Sequence, residues 1–326
     1  MRIGMIGILP IAIGYLLDRI LGDPYQLPHP IRLIGRMITF LESKLCKAFG
    51  KKEKEAGRLL VVLTLFIVTV VTWSVLAFAY YLNLGLGICT EAVLCYYLLA
   101  AKCLKKESMK VYDAIAGQDI LKARQAVAMI VGRDTGQLNE QGVIKAAVET
   151  VAENTSDGVT APLMYTLLGG ATFGFIYKAV NTMDSMIGYK NEKYINLGRC
   201  AARLDDFLNF LPSRITAVAM ILAARRLRYD ATGAYRIWKR DRRKHASPNS
   251  AQTEAVCAGA LQIKLAGDAS YSGKVCKKET IGDDIRKIEN EDIRRANRLM
   301  YLTENIVLFI GLALRMSVMW IVGSFL

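Results

Sequence analysis

Residues 59–83 read LLVVLTLFIVTVVTWSVLAFAYYLN, a run with no charged residue. Roughly 20 apolar residues in a helix cross the ~30 Å hydrocarbon core of a bilayer, so this run is long enough to span with some tilt. A buried helix of a soluble protein explains it poorly. Three further runs have the same character. Met1 to Leu21 is apolar from Ile3 to Leu17 and closes on Asp18-Arg19; with no small-x-small cleavage site, it reads as an uncleaved anchor. Ile88 to Leu104 is broken by Glu91 before Lys102, and Ile306 to Leu326 carries only Arg315. Two stretches are shorter or interrupted. Residues 160–180 contain Pro162 and the Gly169-Gly170 pair, and 207–224 holds a short apolar stretch before Arg225-Arg226. Both read as re-entrant or buried helices rather than spans.

Charge placement orients these runs. The chain has 326 residues, 53% of them hydrophobic, a mean hydropathy of +0.25 and a formal charge of +14. Such values exclude a disordered chain and a disulfide scaffold, and leave a membrane protein with basic loops or a basic nucleic-acid binder. Arg32, Arg36, Lys44, Lys47, Lys51, Lys52, Lys54 and Arg58 crowd the segment 22–58, and another basic cluster fills 225–244. The link 84–87 has no charge. By the positive-inside rule the basic segments are cytoplasmic. The expected architecture is an all-α polytopic integral membrane protein forming a single membrane domain over 1–326. Its spans fall at 3–21, 59–83, 86–104 and 306–326, with helical cytoplasmic loops at 22–58 and 105–305. Cell-membrane localisation follows, with the bilayer as a partner. Nucleic acid is not expected: the basic residues flank spans and no recognition module is present. No feature specifies an oligomeric state.

The polar blocks are richer than connectors need to be. Between 23 and 36, three prolines stiffen a turn that presents Asp23, His29 and Arg32. The block 149–159 sets Glu149, Glu153 and Asp157 four apart. Like charges at that spacing destabilise a bare helix by a few tenths of a kcal/mol unless a cation or basic neighbour answers them, and Asn154 stands among them. Asn181 and Asp184 share a helix face. Arg203-Leu204-Asp205-Asp206 precedes an apolar stretch, where the acids serve equally as plain helix capping. Residues 238–254 combine Arg240, Lys244, His245, Asn249 and Glu254. A lipid-attracting cluster needs the basic members only; His245-Ala-Ser-Pro-Asn249 reads as a phosphate- or nucleotide-facing turn. The loop 267–273 has the composition to bring backbone N–H groups near an anion. There is no P-loop, no dinucleotide fingerprint and no zinc-type cysteine or histidine spacing, and the seven cysteines read as reduced thiols.

Together the blocks LDRILGDPYQLPHPIRLIGR (17–36), ETVAENTSDGVTAPLMYTLLGG (149–170), KAVNTMDSMIGYKNEKY (178–194), GRCAARLDDFLNFLPSRITA (198–217) and RDRRKHASPNSAQTEAVCAGAL (240–261) resemble the CbiB-type cobalamin-biosynthesis family, the adenosylcobinamide-phosphate synthases. The resemblance runs over most of the chain in the same order. It departs at Asp268, where a proline is expected in a G-P-A-S-Y-like loop. It implies a membrane enzyme that joins adenosylcobyric acid, a corrinoid, to aminopropanol phosphate or ethanolamine phosphate, with ATP and magnesium. Under it, His29, Glu149, Glu153, Asp184 and His245 are the expected catalytic groups. Asp23, Arg32, Asn154, Asn181, Arg203, Arg240, Lys244 and Asn249 are expected to bind substrate or phosphate, and Asp157, Asp205 and Asp206 metal. The alternative is a transporter for an anionic cofactor or precursor, using Glu91 and Arg315 as intramembrane charges.

Overall fold

A computed structural model describes residues 2–23, 28–271 and 273–325, with side chains from Gly7 to Val322. Among the described residues the chain is all-α apart from two small two-stranded sheets. Its helices are α1 (Arg2–Leu21), α2 (Pro30–Phe49), α3 (Glu53–Leu82), α4 (Leu84–Leu98), α5 (Ala101–Ala116), α6 (Ile120–Ala128), α7 (Glu140–Asn154), α8 (Ala161–Ile187), α9 (Arg199–Leu208), α10 (Phe210–Arg226), α11 (Ala231–Asp241), α12 (Ser250–Leu261) and α13 (Glu291–Phe325). One π-helical turn, Thr155–Thr160, follows α7. Strands β1 (Leu265–Ala266) and β4 (Thr280–Ile281) pair antiparallel, as do β2 (Ala269–Tyr271) and β3 (Lys274–Cys276).

Four described helical segments are long and apolar enough to cross a membrane: Glu53–Leu82, Leu84–Ala116, Glu140–Ile187 and Glu291–Val322. Three overlap the expected runs at 59–83, 86–104 and 306–326. The fourth contains the 160–180 stretch, read from sequence as re-entrant or buried. The first expected run lies in α1, whose opening side chains fall outside the described residues.

The chain forms two compact units where the sequence reading has one membrane domain. The first comprises residues 1–100, 161–209 and 308–326; the second comprises 101–160 and 210–307. In the first, α1 packs on α4, α3 on α2, α4 and α8, and α8 on α9. His29 caps α2 by accepting the Ile31 N–H on Nδ1 at 3.2 Å, with Pro30 at the first helical position, where its missing N–H costs nothing. The Pro24–Leu27 part of the expected stiff turn lies outside the described residues. Asn83 both ends α3 and caps α4, accepting the Gly85 N–H at 2.7 Å.

Helix α8 is broken at Gly169 and Gly170, whose backbone is not helical. Gly170 has φ +68°, and a Cβ there would lie 2.5 Å from Glu91 Oε1. The break frees backbone groups that a bilayer cannot satisfy. Arg315 answers the carbonyl end, donating from Nη1 to Leu167 O and to Thr166 O (3.3 Å). Glu91 answers the amide end, accepting the Ala171 N–H at 3.3 Å and the Tyr80 hydroxyl at 2.7 Å. Each half-helix end thus meets the charge its dipole favours.

The second unit is organised about α12, in which every residue from Ser250 to Leu261 is buried. Its Ala and Gly positions admit close neighbours. Helices α10, α11 and α7 all pack against it, and one continuous apolar core joins Val111, Ile144, Val148, Ile237, Val256 and Leu299.

Candidate functional site

Within the second unit a cleft of about 230 Å³ opens between the α6–α7 connection, α7, the α11–α12 loop, α12 and the strands. Helix periodicity puts Glu149 and Glu153 one turn apart on α7 facing it, with Thr150 and Asn154 alongside. The repulsion implied by the Glu149–Glu153 spacing is relieved by specific partners. Glu149 is ion-paired to Arg133 from the α6–α7 connection, and its other oxygen accepts the Ala266 N–H at 2.6 Å. One buried carboxylate therefore fastens the connection before α7 to strand β1. Glu153 accepts the Ser250 hydroxyl at 2.8 Å.

Glu254 lies one turn along α12 from Ser250 and lines the same cleft. It is buried, and its Oε2 has no hydrogen-bond partner. Burial, and then the negative charges of Glu153 and Glu149, push its pKa well above the usual carboxylate range. A carboxyl in such a place holds its proton to higher pH than an ordinary one unless a cation arrives. Burial pushes His245 the other way, below the ordinary histidine value, and Lys278 adds to that while Glu153 opposes it. His245 Nδ1 accepts the Ser247 N–H at 3.1 Å, so the neutral ring carries its proton on Nε2. Of the two roles expected for His245, this tautomer suits contact with phosphate oxygen.

Lys278 brings a cation from the β3–β4 loop. Its Nζ bonds the Tyr271 hydroxyl at 2.7 Å and lies over that ring. Asp268, the residue where the resemblance leads one to expect proline, accepts the Lys278 backbone N–H at 3.2 Å and so fixes where that lysine starts. The 267–273 loop does direct an N–H at an anion, and the anion belongs to the protein. Asp134 accepts from Gly273 N–H (2.8 Å) and Ser270 hydroxyl (2.6 Å), pinning the β2–β3 hairpin; Ser272 lies outside the described residues.

Of the residues singled out in sequence, Glu149, Glu153, Asn154 and His245 line this cleft. Asp157 sits on the π-helical turn and is not among the lining residues. Arg240 and Lys244 are held by the buried Asp241: Arg240 Nε and Lys244 Nζ each reach it at 2.8 Å, and the Gly282 N–H joins them. Burial alone would raise the Asp241 pKa, but these partners outweigh it and hold the carboxyl at about 2. Asn249 accepts from Arg214 Nη1 at 2.9 Å and from the Ser213 hydroxyl at 3.3 Å.

The remaining residues belong to the first unit. Asp23 lies 3.5 Å from His29 Nε2, while Arg32 and Arg203 are exposed. Asp205 is buried, with Asp184 and Asp206 as charged neighbours, and accepts from the Asn181 amide at a long 3.4 Å. Sequence reasoning did not single out Arg133 or Lys278, and gave Glu254 no role. Arg133 carried one signal, a Gly-Arg-Asp triplet between two helical stretches; Lys278 carried none.

The CobD/Cbib protein family profile matches residues 11–300. Among curated relatives, a cobalamin biosynthesis protein CobD of Clostridium perfringens is 44% identical over 307 residues, covering 94% of this chain and 98% of that protein. Its namesake in Pelobacter propionicus is 45% identical over 303 residues, 93% of this chain and 94% of that protein. That of Klebsiella pneumoniae is 40% identical over 316 residues, 96% and 98% respectively. No solved structure shows a significant match.

Proposed function

The chain belongs to the CobD/Cbib family of cobalamin-biosynthesis proteins, and from that premise we propose that it is an ATP-dependent amide ligase of the cell membrane. In this reading it joins the propionate carboxyl of adenosylcobyric acid to the amine of aminopropanol phosphate, or ethanolamine phosphate, giving adenosylcobinamide phosphate. The observation that carries the reading is the second unit's cleft, where carboxyl groups, a neutral imidazole and two cations line one small space.

A carboxylate is a poor acyl donor because its leaving group would be oxide. In an ATP-dependent ligation one carboxylate oxygen attacks the terminal phosphorus of ATP, the bond to ADP breaks, and an acyl phosphate forms. The amine then bonds to the acyl carbon, phosphate leaves with the electron pair, and the nitrogen sheds a proton. Glu254 suits the proton: its raised pKa makes its carboxylate a better acceptor near neutrality than an ordinary one. Arg133, Lys278 and the His245 Nε2–H suit phosphate charge.

Magnesium neutralises nucleotide phosphates when bound, and does so with one or two carboxylates and several waters. Asp205, buried beside the Asn181 and Asn209 side chains, with Asp184 and Asp206 as charged neighbours, is a carboxylate of that kind in the first unit. Among the described residues no three His, Cys, Asp or Glu groups form a protein-only metal cage, which magnesium does not require.

The transporter reading loses its main support. Glu91 and Arg315, the charges it would use, are engaged in mending the broken backbone of α8. Orientation follows from charge: the basic segments and the polar parts of the 105–305 region face the cytoplasm. A cysteine at exposed Asn191, in a background lacking exposed Cys89 and Cys276, is expected to label from the cytoplasmic side only. Purified protein in detergent, given adenosylcobyric acid, aminopropanol phosphate and Mg-ATP, should release one ADP per amide formed. Absence of amide, together with uptake of the corrinoid into vesicles, would replace the ligase by a transporter.

A further inference from the structure

Several groups lining the cleft have partners of the wrong kind or lack one. Glu254 stands on a helix buried at every residue, and its Oε2 has no hydrogen bond. A buried carboxyl oxygen without a donor is costly, so a donor from outside the chain is its natural partner. Glu153 is answered by the neutral Ser250 hydroxyl rather than by a cation. Lys278 is in the complementary position: its ammonium is bonded to the neutral Tyr271 hydroxyl. Arg133 spends part of its five-donor guanidinium on Glu149 and keeps further N–H groups. His245 adds the Nε2–H that its backbone hydrogen bond leaves over.

Carboxyl groups met by neutral donors, and a cation met by a neutral acceptor, are completed by one ligand carrying both charges. An anion alone would leave Glu153 and Glu254 unanswered; a cation alone would leave Lys278 so. The size argues in the same direction. At about 230 Å³ the cleft is smaller than the ~300–1,000 Å³ typical of drug-sized ligands, too small for a whole nucleotide or corrinoid.

We propose that this cleft is the subsite for the small amino-alcohol phosphate, with its ammonium against Glu153 and Glu254 and its phosphate against Arg133, Lys278 and the His245 Nε2–H. The identity of the ligand rests on the ligase reading; the chemistry of the subsite, a short molecule with a primary ammonium at one end and a phosphate at the other, rests on the groups that line it. Bound this way, the amine lies beside the one buried carboxyl that can take its proton.

Calorimetric titration of the full chain in detergent with ethanolamine phosphate, without ATP, corrinoid or magnesium, tests the assignment. Saturable binding is expected, with ethanolamine alone and inorganic phosphate alone each weaker by at least about tenfold. Glu254→Gln, which keeps the shape, and Lys278→Gln, at a partly exposed position, should each weaken binding by at least about tenfold with no loss of thermal midpoint. Equal affinity in wild type and both variants would overturn the subsite. Inorganic phosphate binding as tightly as the whole molecule would overturn it too, reducing the cleft to an anion site. So would magnesium alone binding there and displacing the ligand. Binding as expected without amide formation in the complete assay would keep the subsite and remove the ligase. Amide formation with a wild-type KM for the amino phosphate in both variants would do the reverse.

Discussion

In the second unit Ile144, Val148, Val256, Leu299 and Met300 are withdrawn into one continuous core. In the first, Val62, Phe66, Val70, Trp73 and Phe78 along α3, with Phe309, Ile310 and Leu314 on α13, stand exposed. Water drives apolar side chains inward; hydrocarbon does not, because lipid tails are as apolar as leucine. The polar groups differ accordingly. Inside the first unit Glu91 and Arg315 answer the backbone groups freed by a break in an apolar helix. Inside the second, buried polar groups include a carboxyl that remains unanswered. These charges in the first unit are engaged with the chain's own backbone, whereas in the second a buried carboxyl oxygen lining a cleft has no donor.

The largest effect expected from this contrast is in the water-driven core. Ile144→Ala, at a buried site, should cost about 2–5 kcal/mol, read as a lowered thermal midpoint in detergent. A loss no greater than that of an exposed first-unit residue would break the comparison. Next comes Arg315→Met, which keeps the bulk but leaves the Thr166 and Leu167 carbonyls without their donor; about 1–3 kcal/mol is expected. If the charge mattered for transport rather than structure, the midpoint would hold.

A smaller effect, with a diagnostic sign, concerns pH. The folded pKa of Glu254 lies above its unfolded value, so the folded state binds more protons between the two. Stability from this group is fully present below the ordinary carboxylate range and is lost as pH rises toward the folded value. Glu254→Gln should therefore flatten the decline in midpoint between mildly acidic and mildly alkaline buffer. Asp241 has the opposite sign: its stabilisation is present above the ordinary aspartate range and is lost as pH falls toward about 2. Asp241→Asn should remove that acid-side loss. The smallest effect is Phe66→Ala on the exposed face of α3, expected within about 0.5 kcal/mol in detergent.

Much of the helical architecture was legible because it depends on short-range pattern. The run at 59–83 announces its helix, and Gly169-Gly170 announces a break in the next apolar stretch. What mends that break was not legible, since Glu91 and Arg315 are distant in sequence from Gly170 and look like ordinary intramembrane charges. The candidate site divides in the same way. Glu149 and Glu153 advertise themselves by helical spacing, and His245 by its turn. Their partners come from far along the chain: Arg133 from the α6–α7 connection, Ala266 from a two-residue strand, Lys278 from a loop placed by Asp268. Arg240 and Lys244 misled because basic residues look free until a buried acid such as Asp241 is seen to hold them.

The central claim is that the chemistry belongs to the second unit's cleft. Its most direct test is the turnover of Glu153→Gln beside wild type, both purified in detergent and given adenosylcobyric acid, aminopropanol phosphate and Mg-ATP, with amide and ADP counted together. The expected result is one ADP per amide in wild type and at least about a hundredfold loss of amide in Glu153→Gln, the cost of removing one electrostatic contact to the reacting groups, at an unchanged thermal midpoint. Near-normal amide formation by Glu153→Gln would contradict it.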